Sequence, residues 1–224
     1  MPLDLPSTQM SWPLFALASY LLCSIPFGKL LSRKVAGIDI TRKGSGNVGA
    51  TNVARIIGFK WGILTLFLDA LKGFIPVYLF RSFSPGFETG LAFVVLSSLL
   101  GHQFSLFQKF RGGKGVATAL GIYLAISPGY TLIVVLFFVL TVYFSNYVSL
   151  GSILSAALMP FLLLLSDKPK LSVITAFVMA ALIWLKHKEN IARLLSGKER
   201  GWRKGITQSA DQEDDPVRHR NKNE

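Results

Sequence analysis

Residues 115–145 read GVATALGIYLAISPGYTLIVVLFFVLTVYFS, and these 31 residues include no Asp, Glu, Lys or Arg. As a single helix the segment would be too long for a bilayer without a strong tilt or kink, because about 20 residues cross roughly 30 Å of hydrocarbon. Pro128 and Gly129 together predict a turn near its middle. We therefore interpret the segment as two helices, each of which crosses the membrane.

Five further apolar segments accompany this pair, so that the sequence predicts about seven spans. The seven runs cover about 14–31, 62–80, 89–107, 115–127, 130–145, 150–166 and 171–185. Residues 1–13 hold no Lys or Arg, whereas basic residues follow the first run. A cleaved signal peptide carries its positive charge before the apolar core, so this order instead predicts a first helix with its N-terminus outside.

The distribution of basic residues supports seven spans over six. With seven, 20 of the 24 Lys and Arg residues fall in predicted cytoplasmic segments, at 29–60, 109–114, 146–149 and 186–224. Treating 115–145 as one span would place the basic C-terminal segment outside, against the positive-inside rule. The sequence therefore predicts an all-α integral membrane protein with the C-terminus in the cytoplasm. We expect one polytopic domain over 1–205 and a disordered tail over 206–224.

Composition excludes several other classes of protein. Hydrophobic residues make up 51% of the chain and charged residues 16%, whereas soluble domains are about 25% charged. An ordinary soluble domain, a disordered chain and a coiled coil are therefore not expected. The net charge of +12 is mostly explained by the basic residues of the predicted cytoplasmic segments, so no nucleic-acid partner is predicted. The single cysteine, Cys23, leaves no disulfide framework and no cysteine metal site.

The first of three polar segments is GSGNVGATNVAR at 44–55. Its three glycines let backbone N–H groups turn toward an anion, and Arg55 offers a bidentate fork suited to phosphate. The alternative is a flexible loop with a helix cap. The neutral candidate ligands in this segment are Ser45, Asn47, Thr51 and Asn52.

The second polar segment comprises GHQF at 101–104 and KFRGGKGVAT at 109–118. It fails the nucleotide-binding P-loop pattern, because Lys114 is followed by glycine instead of Ser or Thr. A glycine-rich turn that enters a helix beside a lysine is nevertheless a potential anion site. The alternative is a glycine helix cap with topological charges. The candidates here are His102, Gly112, Gly113, Lys114 and Gly115.

The third polar segment comprises KHKENIAR at 186–193 and GKER at 197–200. His187 and Asn190 lie three positions apart and hence on one helical face. A histidine with an unperturbed pKa near 6.5 suits proton handling or phosphate binding. By the predicted topology all three segments lie at the cytoplasmic surface. Separately, Asp69 and Lys72 lie within the second span, where they are either functional or a structural ion pair.

At these three segments the sequence resembles the bacterial membrane acyltransferases that move a fatty acyl group from acyl phosphate to glycerol 3-phosphate (the PlsY family). The resemblance covers about residues 10–205 and leaves the tail unmatched. It implies a seven-helix fold in the cytoplasmic (inner) membrane, with the active site facing the cytoplasm. It also implies lysophosphatidic acid and phosphate as products, membrane lipid as surroundings, and no requirement for a cofactor, metal, acyl-CoA or acyl carrier protein.

The resemblance also implies roles for the candidate residues. Ser45 and Arg55 would contact substrate phosphate, as would Lys114 with its neighbouring glycines. His187 and Asn190 would orient the substrate or stabilise the reacting centre. Either His187 or a substrate phosphate would accept the proton of the attacking hydroxyl, and the sequence leaves that choice open. Asn190, Ser45 or backbone N–H groups would stabilise the developing oxyanion.

Two other classes of function compete with this reading. A transporter for a small anion or a lipid would use intramembrane charges such as Asp69 and Lys72, but transporters bind substrate near the bilayer midplane between repeated halves. Here the polar segments cluster at one face, and the sequence shows no internal repeat. A basic membrane scaffold without chemistry would leave the three glycine-rich segments unexplained.

Overall fold

The computed structural model describes residues 12–203 and shows ten α-helices with no strand in that range. The helices are α1 (Trp12–Cys23), α2 (Phe27–Ala36), α3 (Ala50–Ile57), α4 (Phe59–Phe83), α5 (Glu88–Gln103), α6 (Val116–Ile126), α7 (Pro128–Ser145), α8 (Val148–Leu164), α9 (Lys170–Lys186) and α10 (Lys188–Leu195). Short 3-10 turns lie at Ile40–Arg42 and Leu106–Gln108. The disorder predicted for 206–224 concerns residues outside the described range.

Six of the seven apolar runs each lie for most of their length on one helix, and the predicted break in 115–145 is confirmed. Helix α6 ends at Ile126 and α7 begins at Pro128, because proline lacks an N–H group and is best tolerated in the first turn of a helix. The first run differs from the prediction. It is interrupted at Ser24–Pro26, and the chain resumes as α2 with a strongly amphipathic sequence.

Four helical stretches are long and apolar enough to cross a membrane, at Trp12–Ala36, Phe59–Phe83, Glu88–Gln108 and Pro128–Ser145. Helices α9 and α10, bent by 64° at His187, count as a fifth if taken together. Helix α6 has only 11 residues and so rises about 17 Å, while α8 has 17 residues. Length and composition therefore support four or five spans, and the figure of seven remains a prediction.

The loops of the bundle lie at its two opposite ends. At one end the turn after α7 meets the chain after α10, where the N–H of Trp202 donates to the carbonyl of Asn146 at 2.8 Å. At the opposite end the hydroxyl of Ser172 donates to the Glu88 carboxylate at 2.9 Å. The three polar segments of the sequence all lie at the first end, where residues from each of them line one pocket.

Close packing between α4 and α6 brings the second polar segment against α4. A Cβ atom added at Gly121 would lie 1.8 Å from the carbonyl oxygen of Ala70. A Cβ added at Gly73 would lie 2.3 Å from the carbonyl oxygen of Thr118. Helix association within membranes depends on such small residues, which let the two backbones approach closely.

Candidate active site

The three polar segments converge on one open pocket of about 540 Å³ at the loop-bearing end of the bundle. Every candidate residue from the sequence lines this pocket except Gly113. Six basic and three acidic side chains line it, as do two histidines. The basic residues are Arg55, Lys114, Lys186, Lys188, Arg193 and Arg200, and the acidic residues are Asp69, Glu189 and Glu199. The excess of positive charge favours an anionic ligand.

Apolar side chains from several helices line the rest of the pocket. Leu66 of α4 and Leu185 of α9 line it and are themselves exposed on the outside of the bundle, and Phe138 of α7 lies in the same wall. The pocket therefore offers basic groups and an apolar surface together, which suits a ligand with an anionic head and an apolar chain.

Asn52 organises the first polar segment from within. Its side chain is buried, and its amide group donates to the carbonyl oxygens of Lys43 at 3.1 Å and Asn47 at 2.8 Å. Its amide oxygen accepts from the N–H of Ser45 at 3.0 Å. Gly44 has φ +58°, and a Cβ there would lie 2.3 Å from the same amide oxygen. Asn52 lines the pocket, but these polar contacts are to its own loop.

The loop that Asn52 holds presents Ser45 to the pocket. The side chain of Asn47 accepts from the N–H of Gly49 at 2.8 Å, just before α3 begins at Ala50. The Ser45 hydroxyl is solvent-exposed and accepts a weak bond from the N–H of Asn47 at 3.4 Å, which leaves its proton available for donation. Thr51 in the first turn of α3 also lines the pocket.

Gln103 at the end of α5 supports the glycine-rich loop of the second segment. Its carbonyl accepts from the N–H of Gly112 at 3.2 Å, and its side chain donates to the carbonyl of Lys114 at 2.9 Å. The N–H of Gly113 donates to the carbonyl of His102 at 3.1 Å. The N–H groups of these two glycines therefore bond to protein carbonyls, and Gly113 is not in the pocket wall.

Lys114 joins the second segment to the third. Its ammonium group donates a hydrogen bond to the side-chain oxygen of Asn190. Burial lowers the pKa of Lys114 to about 8, although the nearby carboxylate of Glu199 acts in the opposite direction. The lysine is therefore mostly charged near neutral pH and loses its charge in mildly alkaline solution.

Glu199 is a functional candidate that reasoning from sequence missed. Its carboxylate accepts from Ser149 at 2.8 Å, from the amide of Asn190 at 2.7 Å and from Arg193 at 2.7 Å. Burial acts to raise the pKa of Glu199, but these three donors outweigh it and the pKa is lowered. The only signal in the sequence was an acidic residue among basic ones at 197–200.

His187 lies at the bend between α9 and α10 and is buried. Its Nδ1 lies 2.8 Å from the carbonyl oxygen of Ile183. Because a carbonyl can only accept, this contact assigns the proton to Nδ1 and leaves Nε2 as an acceptor in the neutral ring. His187 lines the pocket, so an unprotonated ring nitrogen is available there.

His102 and Asp69 lie at the buried floor of the same pocket. The Nδ1 of His102 lies 3.0 Å from the hydroxyl of Thr118 and 3.8 Å from the carboxylate of Asp69. Asp69 forms an ion pair with Lys72 at 2.7 Å, and Lys72 also donates to the carbonyl of Ile25 at 2.7 Å. Within residues 12–203 no group of three or more His, Cys, Asp or Glu is arranged to hold a metal ion.

Comparisons with known proteins agree on one family. A family model described as glycerol-3-phosphate acyltransferase matches residues 13–197. The glycerol-3-phosphate acyltransferase of Desulfotalea psychrophila is 47% identical over 194 residues, which cover 85% of this chain and 98% of the relative. That of Geotalea daltonii is 48% identical over 183 residues, which cover 82% and 93%.

Two solved structures have a similar fold. Both are crystal structures of PlsY (YgiH), an integral membrane glycerol 3-phosphate acyltransferase, one in a glycerol 3-phosphate form and one in a lysophosphatidic acid form. The TM-scores are 0.82 and 0.80, and both are 43% identical in sequence. Each match covers 85% of this chain and 95% of the solved one.

Proposed function

This chain belongs to the glycerol-3-phosphate acyltransferase family and acylates glycerol 3-phosphate, and we propose that its acyl donor is an acyl phosphate. In this reaction the 1-hydroxyl of glycerol 3-phosphate attacks the acyl carbonyl. The bond from that carbonyl carbon to the phosphate oxygen breaks, and the products are lysophosphatidic acid and inorganic phosphate.

The observation that carries this proposal is the convergence of the three polar segments on a pocket that also has an apolar wall. Both substrates carry a phosphate group, and the pocket has more basic than acidic side chains. The acyl chain of the donor fits beside exposed apolar side chains such as Leu66 and Leu185. An acyl phosphate is already an activated mixed anhydride, so the reaction needs no covalent acyl-enzyme, nucleotide, metal, acyl-CoA or acyl carrier protein.

We assign phosphate binding to Arg55, Lys114 and the hydroxyl of Ser45. Thr51 and the backbone of Gly115 line the same space and complete this set. Gly112 also lines it, but its N–H is bonded to the Gln103 carbonyl. Asn190 acts through Lys114: its oxygen accepts from the ammonium group, and its amide nitrogen is held by Glu199. Asn190 is thus a positioning residue as well as a pocket residue. Asn47, Asn52 and His102 act through the loops that they hold.

His187 is our candidate for the group that accepts the hydroxyl proton. Its Nδ1 is committed to the Ile183 carbonyl, so Nε2 carries the free lone pair. A substrate phosphate is the alternative base. The substitution His187→Asn separates the two, because it removes the imidazole but keeps a polar group; loss of about 10²–10⁴ in kcat supports the histidine as base. Retention of kcat supports the phosphate.

The same proposal includes the orientation of the protein in the bacterial cytoplasmic membrane. We propose seven crossings, with the pocket and C-terminus on the cytoplasmic side and one polytopic domain over residues 1–205. The support is the distribution of charge, since 20 of 24 basic residues belong to segments expected at that face. Glycerol 3-phosphate and acyl phosphate would both be supplied from that side.

The test of the donor is an assay of the purified protein in detergent. We expect glycerol 3-phosphate and acyl phosphate alone to give lysophosphatidic acid and inorganic phosphate in equal amounts. Acyl-CoA and acyl carrier protein thioesters, each supplied in place of acyl phosphate, should give no product. Turnover with a thioester donor and none with acyl phosphate would overturn the proposed donor.

A further inference from the structure

Residues 199–203, which we call the strap, connect α10, α3 and the turn after α7 beside the pocket. The carboxylate of Glu199 bonds to Asn190 and Arg193 of α10. The carbonyl of Arg200 accepts from the Arg55 guanidinium of α3 at 3.3 Å. Asn146, in the turn after α7, accepts from the N–H of Trp202 at 2.8 Å and from the N–H of Arg203 at 2.9 Å. The strap is thus attached at both ends.

Arg200 lies between these attachments, and its side chain lines the pocket. The residue is exposed, and its guanidinium makes no hydrogen bond or ion pair to any residue that the structure describes. The bond at this position uses only its backbone carbonyl. Arg200 therefore offers five unused N–H donors at the rim of the pocket.

Arg55 is held close to Arg200 although both carry positive charge. Burial and then the charge of Arg200 lower the pKa of Arg55. The Nε of Arg55 is buried, and no hydrogen-bond acceptor lies within reach of it in the described residues. Two guanidinium groups that repel each other and have spare donors are stabilised by an anion between them, and phosphate matches the geometry of both forks.

We propose that Arg200 is a substrate-binding residue of this enzyme and that it holds a substrate phosphate group together with Arg55. The inference rests on the proposed function, because it concerns the same pocket and the same phosphate-bearing substrates. The phosphate belongs either to glycerol 3-phosphate or to acyl phosphate, and the kinetic experiment below distinguishes them.

The side chain of Arg200 can be replaced without removing any hydrogen bond that holds the strap in place. Its backbone is positioned by Glu199, Arg55 and Asn146, none of which contacts the Arg200 guanidinium through a hydrogen bond. Replacing the side chain alone should therefore leave the strap and the thermal unfolding midpoint unchanged. Lys198 provides the matched control, because it is an exposed basic residue two positions away that does not line the pocket.

The experiment measures kcat and KM for each substrate in the wild type and in Arg200→Ala, Arg200→Gln and Lys198→Ala. For both Arg200 variants we expect KM for one phosphate substrate to rise about 10- to 100-fold with kcat within about threefold, as for loss of a charge-assisted contact made equally in ground and transition states. Lys198→Ala should match the wild type. The substrate whose KM rises identifies the phosphate.

Ionic strength provides a second measurement that a structural role would not change. A contact at the open rim is screened by salt, so the wild-type KM should rise between about 0.05 and 0.5 M salt more steeply than that of Arg200→Gln. Unchanged KM values for both substrates in the two Arg200 variants would overturn the inference, as would an equal effect of Lys198→Ala. Absence of wild-type turnover with acyl phosphate would instead overturn the proposed donor.

Discussion

The ammonium group of Lys114 and the side-chain oxygen of Asn190 form a hydrogen bond across 76 positions of sequence. Asn190 donates in turn to Glu199 at 2.7 Å, so a continuous set of bonds connects the glycine-rich loop with the chain after α10. An ammonium group has three donors, and this bond uses one of them. The other two remain for a phosphate in the pocket.

Removal of the Lys114 charge should therefore reduce catalysis far more than it reduces stability. For Lys114→Ala we expect kcat/KM to fall by about 10²–10³, the effect of losing one charge-stabilising contact. Lys109→Ala is the matched control, because Lys109 is exposed in the same loop and does not line the pocket. Steady-state kinetics together with a thermal unfolding curve check this. Near-normal turnover of a folded Lys114→Ala protein would contradict the assignment.

The lowered pKa of Lys114 predicts that kcat/KM falls at alkaline pH. Because a lysine is charged below its pKa, the phosphate-binding charge is present at neutral pH and is lost as the pH rises through about 8. We expect kcat/KM for glycerol 3-phosphate, measured from pH 6.5 to 9.5, to fall in the upper half of that range. In Lys114→Arg the guanidinium stays charged, so its profile should lack this fall. A wild-type profile that stays level to pH 9.5 would contradict this prediction.

Hydropathy predicted the positions of the helices, while local sequence predicted one interruption of an apolar run and missed another. The two-helix reading of 115–145 is confirmed, because proline and glycine interrupt an otherwise uniform apolar run. The interruption at Ser24–Pro26 was not predicted, since a single proline hardly changes the summed hydropathy of the run that contains it. Length alone also leaves the crossing number open, because α6 is far shorter than a standard span.

Residue types in the sequence indicated most of the residues that line the pocket. Residues whose partners are distant in sequence were missed. Polar residues in glycine-rich segments indicated most of the pocket wall. The carboxylate of Glu199 is partnered by Ser149, 50 positions away, and no local pattern reports such a contact. The same limit applies to Gly113, whose N–H is used by the end of α5.

Asn52 should matter for the fold of the first segment more than for direct contact with substrate. Asn52→Ala leaves the carbonyls of Lys43 and Asn47 and the N–H of Ser45 without their partners. We expect the free energy of unfolding to fall by about 2–3 kcal/mol, with loss of activity, because three hydrogen bonds that hold this loop are lost together. Thr51→Ala at the neighbouring position should lower stability much less. Thermal unfolding in detergent measures both; equal midpoints for the two variants would refute this role.

The close approach of α4 and α6 predicts a strict requirement for glycine at 121. In Gly121→Ala the new methyl group would lie 1.8 Å from the Ala70 carbonyl, and since that atom is backbone, the helices must separate. We expect a loss of about 1–3 kcal/mol of stability, typical of overpacking. Gly129→Ala is the control, because no atom lies within 4 Å of a Cβ built there. The prediction is wrong if both variants unfold at the wild-type temperature.

The buried pair of Asp69 and Lys72 lies 2.7 Å apart with both side chains at most 3% exposed, and we interpret it as structural. Asp69→Asn or Lys72→Met alone leaves one charge without its partner inside the bundle, which should cost about 3–5 kcal/mol. Asp69→Leu combined with Lys72→Met removes both charges and should recover part of that loss. Recovery will be incomplete because the carbonyl of Ile25 loses the lysine that donates to it.

Acyl transfer by the double variant separates a structural role of the pair from a role in the reaction. If the pair only stabilises α4 against its neighbours, the double variant should acylate glycerol 3-phosphate within about tenfold of the wild-type rate, since no charge that binds phosphate has been removed. A stable double variant without acyl transfer would show that Asp69, at the floor of the pocket, takes part in the reaction itself.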